Sequence, residues 1–244
     1  MLQGLYAAAS GMEAQQNQLD AVSNDLANVD TPGYQGEIMG FEDLLYTSGG
    51  NSTGTNVATG AGSASGMIGR SDLQGSIQQT GRSLDVAIQG PGYLEVRRPD
   101  GTIGLTRNGA LEANAKGQLT NSQGMLLQPP ITLPHGTDPA DVTIEGNGTV
   151  TAKGKTLGQI KLVTVPAPNG LVADGDSIFS ATAASGAIRP ATGATLQQNA
   201  LEGSNVDMGR AMSQMMTAER SYQMSSNAVQ YQDQILQIAN QIKA

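Results

Sequence analysis

The stretch LANVDTPGYQ, residues 26–35, decides the layout of this 244-residue chain. A helix-like pattern runs up to it, and Pro32 followed by Gly33 then stops that pattern. The residue before a proline disfavours the α region, and glycine permits the tight turn that redirects the chain. A stop here would separate an inner helix from an outer body, although the local chemistry by itself favours an ordinary helix end. The turn residues are Asn28, Thr31, Pro32, Gly33 and Tyr34.

Apolar residues upstream of this turn repeat every seven positions, which predicts a helix with an a/d seam of about four heptads. The last segment of the chain has the same pattern, and Asn205 or Asp207 is the expected N-cap of its helix. The seam residues of the first helix are Leu5, Met12, Leu19 and Leu26, with Ala8, Val22 and Val29 at an offset of three. Those of the last helix are Met208, Met215, Tyr222, Val229 and Leu236, widened by Met212, Met216, Ile235, Ile238 and Ile242.

The sequence between the two helical segments changes character twice. Residues 34–46 are apolar and include Phe41, Leu44 and Leu45, whereas residues 47–66 are uncharged and rich in Gly, Ser and Thr, as in a flexible linker. From about Leu84 the apolar period becomes two, which predicts an all-β module of roughly 110 residues. Its turn signals are Asp100-Gly101, Asn108-Gly109, Lys116-Gly117, Asn147-Gly148 and Asn169-Gly170.

These patterns predict an α+β fold in which the N- and C-terminal helices pair as a coiled-coil layer and flank a central all-β domain. The expected boundaries are 1–32 for the N-terminal inner helix, 33–70 for the turn and extended linker, 71–200 for the β-rich outer domain and 201–244 for the C-terminal inner helix. The polar faces of both helices carry mostly amides and hydroxyls rather than Glu and Lys. Such faces pack against other helices without burying unpaired charge, which indicates a polymer. Helices that cover each other or pack on the β domain remain the alternative.

Several long stretches resemble the flagellar rod and hook proteins. The stretches are LANVDTPGY (26–34), FEDLLY (41–46), LDVAIQGPGYLEV (84–96), PDGTIGLTRNGALEANAKGQL (99–119) and LEGSNVDMGRAMSQMMTAERSYQMSSNAVQYQDQIL (201–236). The resemblance is greatest to the rod protein of the distal basal body, and the proximal-rod relatives share much of the same sequence. The chain departs from the family pattern at Gln35-Gly36, where the family usually has a basic residue after the aromatic one.

The resemblance implies a structural subunit that self-assembles into the tubular rod of the flagellar basal body and transmits torque from motor to hook. It implies that the terminal helices form the inner layer of the tube. It also implies that the chain leaves through the flagellum's own type III export apparatus, without a cleaved signal. The implied partners are other copies of the chain, the neighbouring rod and hook proteins, and ring proteins around the rod. The family offers no catalytic residue to carry over.

The composition restricts other functions. The formal net charge is −8 and no Lys/Arg cluster occurs, which argues against nucleic acid and against an anionic membrane surface. Without Cys, and with His135 alone in a loop, we expect no metal site, cofactor or catalytic residue. No apolar run is long enough for a membrane span. Two other classes stay open: a β-rich binding module oligomerised by its helices, which would need an aromatic platform such as Tyr93 and Phe179, and an enzyme.

Overall fold

The computed structural model describes residues 2–44, 47–49, 57–60, 62–134 and 136–243. The chain divides into two compact units. The helical unit comprises residues 1–27, 37–68 and 207–244, and the β unit comprises residues 28–36 and 69–206. His135 and Leu45, both singled out from the sequence, lie outside the described residues.

The described residues form two long helices and a series of short strands. The helices are α1 (Leu2–Ala27) and α2 (Met208–Lys243). The strands are β1 (Glu37–Asp43), β2 (Thr47–Gly49), β3 (Val57–Thr59), β4 (Ser63–Arg70), β5 (Ile77–Gln79), β6 (Val86–Gln89), β7 (Tyr93–Arg97), β8 (Ile103–Thr106), β9 (Leu111–Ala113), β10 (Leu119–Asn121), β11 (Leu126–Gln128), β12 (Val142–Ile144), β13 (Thr149–Ala152), β14 (Lys155–Gln159), β15 (Leu162–Thr164), β16 (Val172–Ala173), β17 (Ile178–Ser180), β18 (Arg189–Pro190), β19 (Thr195–Gln198) and β20 (Ala200–Glu202). The α+β prediction, with terminal helices and a central β-rich domain, is confirmed.

Helices α1 and α2 pack against each other along a seam of small side chains. A Cβ added to Gly4 would meet the side chain of Gln232, and one added to Gly11 would lie 3.8 Å from Ser225 Oγ. Residue numbers therefore rise along α1 as they fall along α2, so the pair is antiparallel. Most of the buried helical residues are alanines. They are Ala14, Ala21, Val22, Ala211 and Ala218.

Helix α1 ends earlier than the sequence predicted. It stops at Ala27, five residues before Pro32, and a turn follows in which Thr31 N donates to Asn28 O at 3.1 Å. Val29 was predicted to lie on the helical seam, and this is wrong because the helix has already ended. The helix stops because the chain that follows it is held by the β unit. There the backbone N–H groups of Gly33 and Gly36 donate to Glu202 and Asn205.

The stretch after the turn contains more regular structure than a flexible linker. Strand β1 pairs with β4, and β2 pairs with β3, so part of the Gly/Ser/Thr-rich region is β-hairpin. The β1–β4 hairpin packs on α1: Ser65 Oγ donates to Ala14 O at 3.2 Å, and Asn17 Nδ2 donates to Ser65 Oγ at 3.1 Å. The sequence pattern did not predict these strands, because their small residues are held by backbone hydrogen bonds and hydroxyl contacts rather than by burial of apolar side chains.

Short antiparallel strands build the β unit around two hydrophobic clusters. Its main sheet runs in the order β16-β17-β8-β7-β11-β10-β9, with β15 pairing with both β7 and β18. The larger cluster is wholly aliphatic. The smaller one contains Tyr93 and Phe179, whose rings meet edge to face with centroids 6.0 Å apart.

Only some of the expected turn glycines lie in hairpin turns. Gly101, Gly117 and Gly148 have positive φ and stand between or beside paired strands. Gly109 does not: a Cβ there would lie 1.7 Å from Val86 O, and its own carbonyl accepts from Val86 N at 3.0 Å. Asn108-Gly109 is therefore a site of close backbone approach, which the dipeptide alone does not distinguish from a turn.

Candidate functional site

The turn that follows α1, here called the junction turn (residues 28–36), is hydrogen-bonded to residues 202–205. Through this segment the chain leaves the β unit. Gly33 N donates to Glu202 O at 2.8 Å, and Asn205 N donates to Tyr34 O at 3.3 Å. Gly36 N donates to Asn205 Oδ1 at 2.8 Å, while Asn205 Nδ2 donates to the carbonyls of Ser71 and Leu73. The chain thus enters and leaves the β unit at neighbouring points. Asn205 does this instead of capping α2; Asp207 is the cap, accepting from Arg210 N at 2.8 Å.

Gly33 is the position in this turn that only glycine suits. Its φ is +67°, a region that costs an L-residue roughly 1–2 kcal/mol. An added Cβ would also lie 2.4 Å from Asn108 N and 2.6 Å from the carbonyl carbon of Arg107. Because both contacts are to backbone atoms, no side-chain rotation can relieve them.

We expect Gly33→Ala to destabilise the β unit by at least about 2 kcal/mol, since left-handed strain and a backbone clash add together. Gly81→Ala is the matched control, because Gly81 has φ +73° but nothing within 4 Å of an added Cβ. Urea unfolding of the two variants measures the difference. Equal losses of stability in Gly33→Ala and Gly81→Ala would show that Gly33 is not in close contact with the backbone of Arg107 and Asn108.

A buried ion pair lies directly behind the turn. Arg107 Nη2 is 2.8 Å from Glu202 Oε2, and both side chains are 3% exposed. Arg107 also donates to the carbonyls of Gly92 and Gly90, at 3.0 and 3.3 Å. Glu202 Oε1 accepts from Gly75 N at 3.0 Å. Because the Glu202 backbone carbonyl holds Gly33, one residue joins the turn to the ion pair.

Aromatic and amide groups complete the junction. Gln35 is 3% exposed, and its Oε1 accepts from Tyr93 Oη at 3.4 Å. Burial raises the pKa of Tyr93 above its ordinary value of 10.0. Arg70 Nη1 donates to Gln35 O at 2.8 Å, and its guanidinium carbon lies 5.8 Å from the centre of the Tyr34 ring. These contacts bury Tyr34, a turn residue that the sequence had singled out.

Helix α2 presents large apolar side chains that its own unit leaves exposed. Met224, Tyr231 and Ile238 repeat every seven residues and are 65%, 65% and 56% exposed; Ile235 beside them is 56% exposed. Ser225 and Gln232, which pack toward α1, lie one position further along, so the two faces differ. We call the exposed set Met224, Tyr231, Ile235 and Ile238 the outer seam. Helix α2 therefore has one closed seam and one open seam.

The predicted interface residues divide by exposure. Leu5, Met12, Leu19, Leu26, Met215 and Val229 are half-buried, as is Val29 in the turn. Val22 is 3% exposed, so its own chain already covers it. The exposed ones are Phe41, Leu44, Met208, Met212 and Tyr222. The side chain of Leu236 lies outside the described part of the chain.

The heptad reading of the sequence missed Tyr6, Met224 and Tyr231, which are among the most exposed apolar side chains of the two helices. Met224 and Tyr231 could have been found, because with Ile238 they form a second seven-residue repeat. That repeat is obscured by the glutamines and serines between its members.

The described residues contain no group of three His, Asp or Glu side chains placed to hold a metal ion. In the part of the chain that the structure describes, no helix is long and apolar enough to cross a membrane. Tyr93 and Phe179 are 3% and 2% exposed. The two rings that could have formed the aromatic platform of a surface-binding module therefore lie in the hydrophobic core.

Three family models match successive parts of the chain. A model described as flagella basal body rod protein matches residues 5–35, which include α1 and the turn. One described as flagellar hook protein FlgE/F/G D1 domain matches residues 87–152 of the β unit. One described as flagellar basal body rod FlgEFG protein C-terminal matches residues 197–242, which include α2. The order of the matches follows the order of the elements.

Full-length relatives agree with these matches. The flagellar basal-body rod protein FlgG of Caulobacter vibrioides is 37% identical over 265 residues, covering 100% of both chains. The chain belongs to the flagellar basal-body rod protein family. The FlgG of Borreliella burgdorferi is 36% identical, covering 100% of this chain and 99% of its own. A flagellar hook-basal body complex protein FlhP of Bacillus subtilis is 32% identical, covering 100% of both chains.

Membership of the basal-body rod family makes the chain a structural component of the flagellar basal body. The junction turn and α2, the two features described above, both fall inside rod-family matches.

Proposed function

We propose that this chain self-assembles into the tubular distal rod of the flagellar basal body and transmits torque from motor to hook. The outer seam of α2 carries this proposal. It is a line of large apolar side chains that the protomer itself leaves uncovered. The FlgG name carried by relatives that align over their full length supports the distal rather than the proximal rod.

The outer seam is large enough to drive association. Full burial of one Leu- or Phe-sized side chain is worth about 1.5–3 kcal/mol, so four half-exposed residues supply several kcal/mol for each contact. A heptad repeat such as 224–231–238 suits a neighbouring helix, because it keeps one face turned to the partner over several turns. The partner that best fits the outer seam is a helix of another copy.

The rest of α2 suits a crowded interior. Its surface carries mainly neutral amides and hydroxyls, which bond to neighbouring helices without the cost of burying an unpaired charge. Residues 221–232 illustrate this, with no charged side chain in SYQMSSNAVQYQ. A solvent-exposed helix is usually stabilised by Glu–Lys pairs three or four residues apart, and this stretch of α2 has none. Both features support an inner layer of α1 and α2 helices.

The proposed partners follow from this role. Other copies of the chain form the tube, neighbouring rod and hook proteins meet its ends, and ring proteins surround it. Export through the flagellum's own type III apparatus is part of the proposal.

Thiol footprinting tests the proposal, because the chain has no cysteine and one introduced thiol is unique. Tyr231→Cys should react with a maleimide in dilute monomer and be protected in purified basal bodies. Lys116→Cys, at an exposed turn of the β unit, is the control for reagent access. Equal reactivity of Tyr231→Cys in monomer and basal body would contradict the assigned interface.

A further inference from the structure

Sulfur occurs in this chain only as thioether, because the sequence has ten methionines and no cysteine. The exposed methionines of the described residues are Met67, Met208, Met212, Met216 and Met224. The half-buried ones are Met12, Met39, Met125 and Met215. Oxidation of a sulfur atom depends on how freely the oxidant reaches it. The exposed methionines are therefore the groups of this chain that are most open to oxidation.

Met224 combines the greatest exposure of these methionines with a place in the outer seam. Its side chain is 65% exposed, against 47–54% for the other exposed methionines. It begins the seven-residue repeat that continues through Tyr231 and Ile238. The other methionines of α2 lie about 80° or more around the helix from Met224. Met224 is thus the one methionine of α2 that belongs to the proposed assembly surface.

Oxidation changes the polarity of a methionine side chain far more than its length. Hydrogen peroxide transfers one oxygen atom to the thioether sulfur, so that the O–O bond breaks, an S–O bond forms and water leaves. The sulfur is oxidised to the sulfoxide, and the peroxide is reduced. The sulfoxide oxygen is a polar hydrogen-bond acceptor, so burying it among apolar side chains costs free energy that burying the thioether does not. Oxidation therefore weakens a contact that buries the methionine.

We propose that Met224 is an oxidation site, at which peroxides convert the thioether of the free chain to a sulfoxide that blocks assembly. Regulation of the outer seam is thereby added to the proposed function, on which this assignment rests. In an assembled copy a neighbouring helix covers the sulfur and protects it. Oxidised copies stay out of the polymer until methionine sulfoxide reductases restore the thioether.

Treatment of the purified full chain with hydrogen peroxide tests the chemistry. Peptide mass spectrometry measures the fraction of sulfoxide at each methionine over time. The sulfoxide should form several-fold faster at Met224 than at Met125, which is half-buried against the larger hydrophobic cluster. In purified basal bodies treated in the same way, Met224 should be oxidised several-fold more slowly than in the free chain. Equal rates at Met224 and Met125 in the free chain would overturn the proposal.

Two substitutions test the consequence in cells that lack their own copy of the protein. Met224→Gln places a polar, hydrogen-bonding group of similar length on the outer seam, as the sulfoxide does, whereas Met224→Leu keeps an apolar group that peroxide does not oxidise. Met224→Gln should lower the yield of rods in purified basal bodies by roughly tenfold or more. Met224→Leu should assemble as the wild type does. Met67→Gln, the same change at an exposed methionine outside α2, is the matched control and should assemble normally.

Rod yields separate a failure of the oxidation site from a failure of the proposed function. Normal yield with Met224→Gln, or an equal loss with Met224→Leu, would overturn the oxidation site and leave assembly through Tyr231, Ile235 and Ile238 intact. Normal yield with both Met224→Gln and Ile235→Asp would contradict the outer seam itself, and with it the proposed function. Unchanged helical circular dichroism of the free Met224→Gln chain distinguishes blocked assembly from misfolding.

Discussion

Glu202→Gln lowers the unfolding free energy of the β unit by about 3–5 kcal/mol, the usual cost of breaking a buried ion pair by changing one partner. The amide keeps the shape of the side chain but leaves the guanidinium of Arg107 without its counterion at a site that is 3% exposed. For a chain of this size, each kcal/mol corresponds to roughly 2–4 °C in Tm. Thermal unfolding followed by calorimetry should therefore show a fall of about 6–20 °C.

The double variant Arg107→Met with Glu202→Leu separates charge from packing. Replacing both members of a buried ion pair by apolar residues is often close to neutral, so this variant should lose less stability than Glu202→Gln. Asp141→Asn is the surface control, because Asp141 pairs with Lys153 at 3.8 Å with both side chains about half exposed. It should cost less than about 1 kcal/mol. A Glu202→Gln loss as small as that of Asp141→Asn would mean that the pair does not hold the junction.

Ile235→Asp prevents assembly while leaving the β unit as stable as before. Ile235 is 56% exposed in the protomer, so the substitution costs little before association. In the proposed inner layer the same position is buried against a neighbouring helix, where an unpaired carboxylate costs several kcal/mol. A loss of about 4 kcal/mol per contact lowers the association constant roughly a thousandfold. Swimming of complemented cells and the yield of rods in purified basal bodies measure the loss.

Gln237→Asp is the matched control for Ile235→Asp. It adds the same charge to the same exposed part of α2, about 160° around the helix from Ile235 and outside the outer seam. We expect a much smaller effect on rod yield. Similar defects from both variants would show that the negative charge itself, rather than burial of the outer seam, blocks assembly.

The sequence predicted those parts of the fold that depend on local pattern. Heptad repeats indicated both helices, and the period of two beyond Leu84 indicated the β domain. Asp207 was one of two predicted caps for α2, and it is the one that caps.

The junction could not be predicted because its contacts join residues far apart in the chain. Nothing near Arg107 in the sequence indicates that Glu202 neutralises it, and the Gly33–Glu202 hydrogen bond spans most of the β unit. The same contacts explain why α1 ends at Ala27 rather than at Pro32. The seam between α1 and α2 was missed for a different reason: it is made largely of alanine, glycine and serine, which a search for large apolar residues passes over.

Helical reconstruction of the rod by electron cryomicroscopy, at a resolution that shows side chains, tests the central claim that α1 and α2 are the assembly elements of this chain. We predict that both helices line the inside of the tube and that Met224, Tyr231, Ile235 and Ile238 contact helices of neighbouring copies. A tube in which these four side chains face solvent, or whose copies meet only through their β units, would contradict the account.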